Sequence, residues 1–237
     1  MAAAFKSMDT SHTSILLRFP ENVKIRGELN SSVGANNLEG SIPFELGKLS
    51  NLQFLQLGAN NLSGMVPIPL YNISSISAFA LVLNQLSRRL PQELGLTLPK
   101  LQYFLVGGNQ FSRPIPPSLV NASALVKFDI GENFFSGSVP MDLRSLQDLD
   151  RLSGNYFGGV LPNSIANLST NLTSLWINVN YISGSIPQGI GNLVNLDSLV
   201  LDTNMLTGSI PESIGKISKL EELFISINNI TRKIPSS

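Results

Sequence analysis

The chain has no cysteine. It can therefore build neither a disulfide framework nor a thiolate nucleophile or metal ligand. Histidine is nearly missing too: His12 stands alone in a Ser/Thr-rich leader and reads as a solvated tail residue, since metal sites take His or Cys in clusters. Excess charge of either sign is absent, because 16 Lys and Arg are balanced by 16 Asp and Glu with no basic run. That removes the electrostatic footprint of a nucleic-acid or anionic-membrane binder, and neither partner is expected. No apolar run approaches the ~20 residues of a membrane-spanning helix, so no direct membrane insertion is expected. The opening MAAAFKSMDTSHTSILLRF is also short of the apolar core of a signal peptide. No cofactor and no metal are expected.

What the chain does have is a period. Asn36, Asn60, Asn84, Asn109, Asn133, Asn155, Asn180, Asn204 and Asn228 follow one another at intervals of 24, 24, 25, 24, 22, 25, 24 and 24 residues. Each is followed two residues later by Leu, Phe or Ile, and seven residues later by Pro. Self-similarity at this spacing means a solenoid, whose coils pack only on their neighbours and form one continuous domain. Residues 1–24 fit no unit and read as an irregular leader or imperfect cap. Residues 25–237 read as an array of about nine units, irregular near 144–155.

Within a unit the apolar spacing assigns local structure. Leu49, Leu52, Leu55 and Leu57 set the template, and Leu55 and Leu57, two apart, point the same way in an extended segment while Phe54 and Gln56 point the other way. The pattern predicts one short parallel strand per coil. Segments such as PFELGKL and PESIGKI, opened by Pro and closed by Gly, read as short helical or 3-10 turns on the convex side. The ladder Asn is suited to satisfy backbone groups of its own turn and of the next coil, because a carboxamide carries two donors and an acceptor. Together these give an α/β leucine-rich-repeat solenoid, the repeat core being L-x-x-L-x-L-x-x-N.

Two irregularities carry expectations of their own. Four residues after the Asn stands Gly in most units, but Arg88, Arg113 and Arg232 replace it in three. Arg would be costly at positive φ, so the position reads as favouring Gly for space, with the arginines projecting outward as solubilising residues. In LRSLQDLDRLSGN, Gly154 and Asn155 follow Leu152 where a second strand Leu belongs, which reads as two residues lost from the strand. No polar capping unit is evident at either end, so a fragment of a longer array is expected.

The repeat N-x-L-x-G-x-I-P-x-x-L-G-x-L, carried by NNLEGSIPFELGKLSNLQFLQLGAN and NMLTGSIPESIGKISKLEELFISIN, resembles the plant-specific subclass of leucine-rich repeats. GNYFGGVLPNSIANLSTNLTSLWINVNYISGSIPQGIGNL is similar to ectodomains of receptor-like kinases that sense bacterial peptides or confer bacterial-blight resistance. The resemblance implies a right-handed superhelix on the extracellular face of the plasma membrane, with a peptide or protein ligand on the inner face and a co-receptor beside it. No kinase, membrane span or paired cysteine accompanies it here, which leaves a truncated, non-functional receptor as an alternative. Asn30, Asn61, Asn72, Asn121, Asn167, Asn171 and Asn229 begin N-x-S/T sequons, which fits a secreted ancestry.

The concave strand face is the surface that the fold leaves free to vary. Its candidate ligand-binding residues are Phe54, Gln56, Tyr103, Lys127, Asp129, Trp176, Asn178, Asp202, Glu222 and Phe224, with aromatics and isolated charges of the kind enriched in binding hot spots. The same side chains could instead pack beside one another across coils. A β-helix enzyme acting on polysaccharide would need carboxylates grouped on adjacent coils, whereas Asp129, Asp202 and Glu222 are dispersed. An inhibitor of wall-degrading enzymes would use the same inner face, so the sequence points to non-catalytic recognition.

Overall fold

The computed structural model describes residues 36–139, 148–168 and 171–231. Eight parallel strands form one sheet: Phe54–Gln56, Ala78–Ala80, Tyr103–Leu105, Lys127–Asp129, Asp148–Arg151, Ser174–Trp176, Ser198–Val200 and Glu222–Phe224. They stack in chain order, one per coil, with equivalent residues side by side, as in Phe79 between Leu55 and Phe104. Strands of three residues suffice because all but the two end strands are held on both sides. Short 3-10 helices such as Phe44–Lys48, Ile68–Asn72, Gln188–Asn192 and Glu212–Lys216 run opposite this sheet, with one α-helical turn at Leu94–Thr97. Each of these four 3-10 turns follows a Pro whose fixed φ of about −60° to −70° suits the start of the turn.

Each coil also carries a second parallel strand that apolar spacing does not mark. Strands beginning at or just after the ladder Asn, among them Asn61–Met65, Gln110–Pro114, Tyr156–Val160 and Tyr181–Ser185, join in a nine-stranded sheet. The core lies between the two sheets and the helical turns. Inward residues form columns, and one column is aromatic: Tyr71, Phe79, Phe104 and Phe128 stack with ring centroids 5.2, 5.6 and 6.0 Å apart. A second column pairs Phe111 with Phe135 at 6.2 Å. Such offset contacts add to the burial of each ring.

The ladder asparagines tie these parts together. Asn109 Oδ1 accepts the Leu86 N–H at 2.9 Å, while its Nδ2 donates to Leu81 O at 2.9 Å and Val106 O at 3.0 Å. One side chain thus bonds the start of the preceding coil's second strand, the end of its first strand, and its own turn. Asn84, Asn133, Asn155, Asn180, Asn204 and Asn228 repeat the arrangement. Asn60 accepts from Leu38 N and donates within its own turn, and Asn36 is exposed.

Two expectations are corrected. The position four residues after the ladder Asn does require positive φ: Gly40, Gly64, Gly137, Gly159, Gly184 and Gly208 lie between 75° and 83°. Arg88 at 85° and Arg113 at 77° adopt the same strained backbone, so the turn is imposed by the neighbouring coils and these arginines bear its cost. Arg232 lies outside the described residues. The sixth coil, in turn, has not lost two residues from its strand, which spans Asp148–Arg151. Leu149 pairs with Leu175, while Asp148 and Arg151 face Lys127 and Asp129, so three steps on this strand meet two on its neighbour. That is a bulge. Leu152, wholly buried, takes the place that Ile130 and Ile177 hold in the adjacent coils.

The leader 1–24, sequon Asn30 and residues 140–147 lie outside the described residues. Asn61, Asn72, Asn121, Asn171 and Asn229 are exposed, and Asn167 ends a 3-10 helix, its side chain outside the described set.

Candidate functional site

The outer face of the eight-stranded sheet is the candidate site. Alternation sends the middle residue of each strand inward and the flanking two outward, so parallel stacking sets outward residues in rows across coils. Phe54 and Phe224 are each 51% exposed and Trp176 is 37% exposed. Gln56, Tyr103, Lys127, Asn178 and Asp202 are half-buried on the same face, and Glu222 is exposed. Asp129 is corrected: it is 2% exposed, with Oδ1 accepting the Gly131 N–H at 3.3 Å, so its carboxylate is covered by the neighbouring coils and not displayed on the face.

The three-coil stretch from Ser174 to Phe224 is the most organised part of this face. Trp176, Val200 and Phe224 stand in register in one row; Ser174, Ser198 and Glu222 form the next. Small Val200 is 9% exposed and floors a saddle between two large rings. Neighbouring strands are ~4.8 Å apart, which puts the backbones carrying Trp176 and Phe224 roughly 10 Å from each other. The indole does not stand free. Trp176 Nε1 donates to Ser198 Oγ at 2.8 Å, and Ser198 Oγ donates to Glu222 Oε2 at 2.7 Å. A hydroxyl that accepts from one neighbour must aim its own proton at the other, so the relay fixes ring, serine and carboxylate together. Asp202 flanks the row on its other side, its Oδ2 accepting from Thr203 Oγ1 at 3.1 Å. Asn178 is tied to the bulged coil by accepting from Ser153 Oγ.

A second feature lies on the other sheet and was missed from the sequence. Phe134, Tyr156 and Tyr181, each directly after or beside a ladder Asn, stack on the surface with centroids 5.6 and 5.9 Å apart. They border a shallow depression of about 430 Å³ with Glu132 and Val179. The position after the Asn was the available signal. Phe134 stacks on Tyr156 and Tyr156 meets Tyr181 at a tilt, so the three exposed rings join successive coils on the surface. Among the described residues no group of three or more His, Cys, Asp or Glu could hold a metal ion, and no helix is long and apolar enough to cross a membrane.

Comparison with known proteins agrees with this architecture. The Leucine Rich Repeat family model matches residues 171–193 and 195–217. Over 49 residues the chain is 59% identical to the Receptor kinase-like protein Xa21 of Oryza sativa subsp. japonica, a match covering 21% of this chain and 5% of that protein. Over 41 residues it is 66% identical to the LRR receptor-like serine/threonine-protein kinase EFR of Arabidopsis thaliana, covering 17% of this chain and 4% of the relative. The matched stretches thus span a small part of these relatives. Among solved structures, the Arabidopsis receptor kinase HAESA in complex with the peptide hormone IDA and the co-receptor SERK1 superposes with a TM-score of 0.75. Identity to it is 35%, covering 82% of this chain and 33% of HAESA. A TDR receptor gives a TM-score of 0.76 at 36% identity, covering 84% of this chain and 34% of that one.

Proposed function

We propose that this leucine-rich-repeat array, similar in sequence and fold to plant receptor-kinase ectodomains, is a non-catalytic recognition module that takes a peptide or protein ligand on the face of its eight-stranded sheet. The observation that carries the reading is the row Trp176, Val200 and Phe224, two exposed rings held in register over a small floor. Packing uses the inward columns. It does not account for large rings held outward, and such residues are the usual anchors of protein interfaces. The named complex of HAESA with a peptide hormone and a co-receptor supports the same ligand class and a co-receptor as a further partner. An extracellular position follows from the same kinship, and exposed sequon residues such as Asn61 and Asn121 would then carry glycans.

Selection of binders from a random displayed peptide library tests the reading. Trp176→Ala and Phe224→Ala should each weaken the selected peptides by roughly tenfold or more, as truncated anchors do. Leu96→Ala, an exposed position on the helical side, should leave affinity unchanged. Equal losses from Leu96→Ala, or no selectable peptide at all, would remove the sheet face as the site.

A further inference from the structure

The geometry points to a basic side chain, arginine or lysine, as the group that a peptide ligand places over Val200 between Trp176 and Phe224. This rests on the peptide-binding reading above and adds what chemistry the ligand must bring. Two aromatic rings bound the saddle, and a carboxylate stands at each end of it: Glu222 one row to one side, Asp202 on the other. Aromatic faces attract cations, most strongly at Trp, and carboxylates supply the opposite charge. Among the described residues neither Glu222 nor Asp202 forms an ion pair, so no described cation of the chain fills this place.

The relay argues that the arrangement is held ready. Glu222 would be mobile on an exposed strand, yet Ser198, 5% exposed, grips one of its oxygens while being gripped by the indole. Only Oε2 is engaged in this way, and Oε1 takes no described partner. A guanidinium at the saddle could therefore stack on a ring face and donate to the free oxygen without breaking the relay. An acidic or neutral polar ligand group would instead meet two uncompensated carboxylates. An apolar one would gain the rings but leave the carboxylates to be desolvated without a partner, which is unfavourable. Charge complementarity therefore selects the basic ligand.

Trp176 is the sole tryptophan of the chain, so its emission reports on this place directly. The intact chain is titrated with a hexa-arginine peptide and with a hexa-citrulline peptide, which keeps the shape and loses the charge. A saturable change in tryptophan emission with the arginine peptide is expected, about tenfold weaker with citrulline and weakened by raising salt. Glu222→Gln together with Asp202→Asn, both at the solvent face, should abolish that preference while leaving the thermal transition in place. Serine hydroxyl to glutamine oxygen preserves the relay, so an unfolded variant is not the expected reading; if it occurs, the citrulline control on the native chain decides the matter. Equal binding of the two peptides overturns the basic-group inference and leaves peptide recognition standing. Failure of both, with library peptides still captured on this face, overturns it too, whereas failure of every peptide overturns both readings.

Discussion

Arg88 holds its backbone at a φ of 85°, six degrees from the 79° of Gly64 at the equivalent place one coil earlier. A left-handed conformation costs an L-residue with a Cβ about 1–2 kcal/mol, against roughly 0.5–1 kcal/mol of chain entropy lost on fixing a glycine. Arg88→Gly should therefore stabilise the array slightly, by about 0.5 kcal/mol, and Arg113→Gly likewise. The reverse change, Gly64→Ala, should destabilise by about 1 kcal/mol, its added Cβ meeting little else since Ser41 is 4.0 Å away. Urea denaturation of the three variants checks the signs, and a loss of stability in Arg88→Gly would show that the guanidinium contributes more than the strain.

The ladder makes a graded prediction. Asn133 is buried, and its carboxamide serves Phe111 N and three carbonyls, of Val106, Ile130 and Gly131. Asn133→Ala leaves the Phe111 N–H without its acceptor in a dry turn, while the three carbonyls keep the Asn109 and Asn155 carboxamides and the Gly108 N–H as donors, and should cost about 2–3 kcal/mol. Asn60 is half-buried, with bonds to Leu38 N, Leu57 O and Gly58 O that water can replace. Asn60→Ala should cost about 1 kcal/mol. Similar costs at both positions would mean that the carboxamide acts within its turn alone.

How much of this was readable beforehand follows from what leaves a trace in residue type. The first strand was legible because two aliphatic residues two apart, such as Leu55 and Leu57, recur in register, and the ladder because Asn cannot be replaced there by an apolar group without orphaning backbone. The second strand was not, since Asn61–Met65 buries only Leu62 and contains a glycine at positive φ, a poor signature of extended chain. The left-handed residue just before most ladder asparagines was hidden as well, glycine marking it only at Gly108 and Gly154. Ala59, Leu83, Glu132, Val179, Thr203 and Ile227 all sit near 50° and carry no glycine to mark it. At the candidate site alternation identified residues exposed on the sheet face, such as Phe54 and Phe224, but misjudged the exposure of Asp129. Its burial is written in the neighbouring coil, where a Cβ on Gly107 would come within 2.5 Å of Asp129 Oδ1, so that glycine makes room for the carboxylate.

Phe104 tests how far damage travels. It is wholly buried between Phe79 and Phe128. Phe104→Ala should cost about 3–5 kcal/mol, because the stacked column can collapse only along one axis. In a solenoid each coil leans on its neighbours alone, so amide exchange should quicken in the strands Ala78–Ala80 and Lys127–Asp129 before it quickens at Ser198–Val200. Uniform acceleration along the chain would indicate a single cooperative unit instead.

Tyr71 supplies the alkaline limit of stability. Burial raises its phenol well above the ordinary value of 10.0, since a phenolate in the core, against the Phe79 ring at 5.2 Å, would lose its hydration. The sign follows from proton counts. Below pH 10 both folded and unfolded chains keep the proton and stability is independent of this group; above it the unfolded chain releases the proton while the folded chain retains it. Stability should then fall by about 1.4 kcal/mol per pH unit from this residue alone until the folded phenol also ionises. Tyr71→Phe removes the term, so the difference in unfolding free energy between the two proteins should be flat from pH 7 to 9 and shift in favour of the variant at about pH 10–11. A difference that stays flat through that range would mean that the phenol reaches water in the folded chain, and that the aromatic column is open at its first ring.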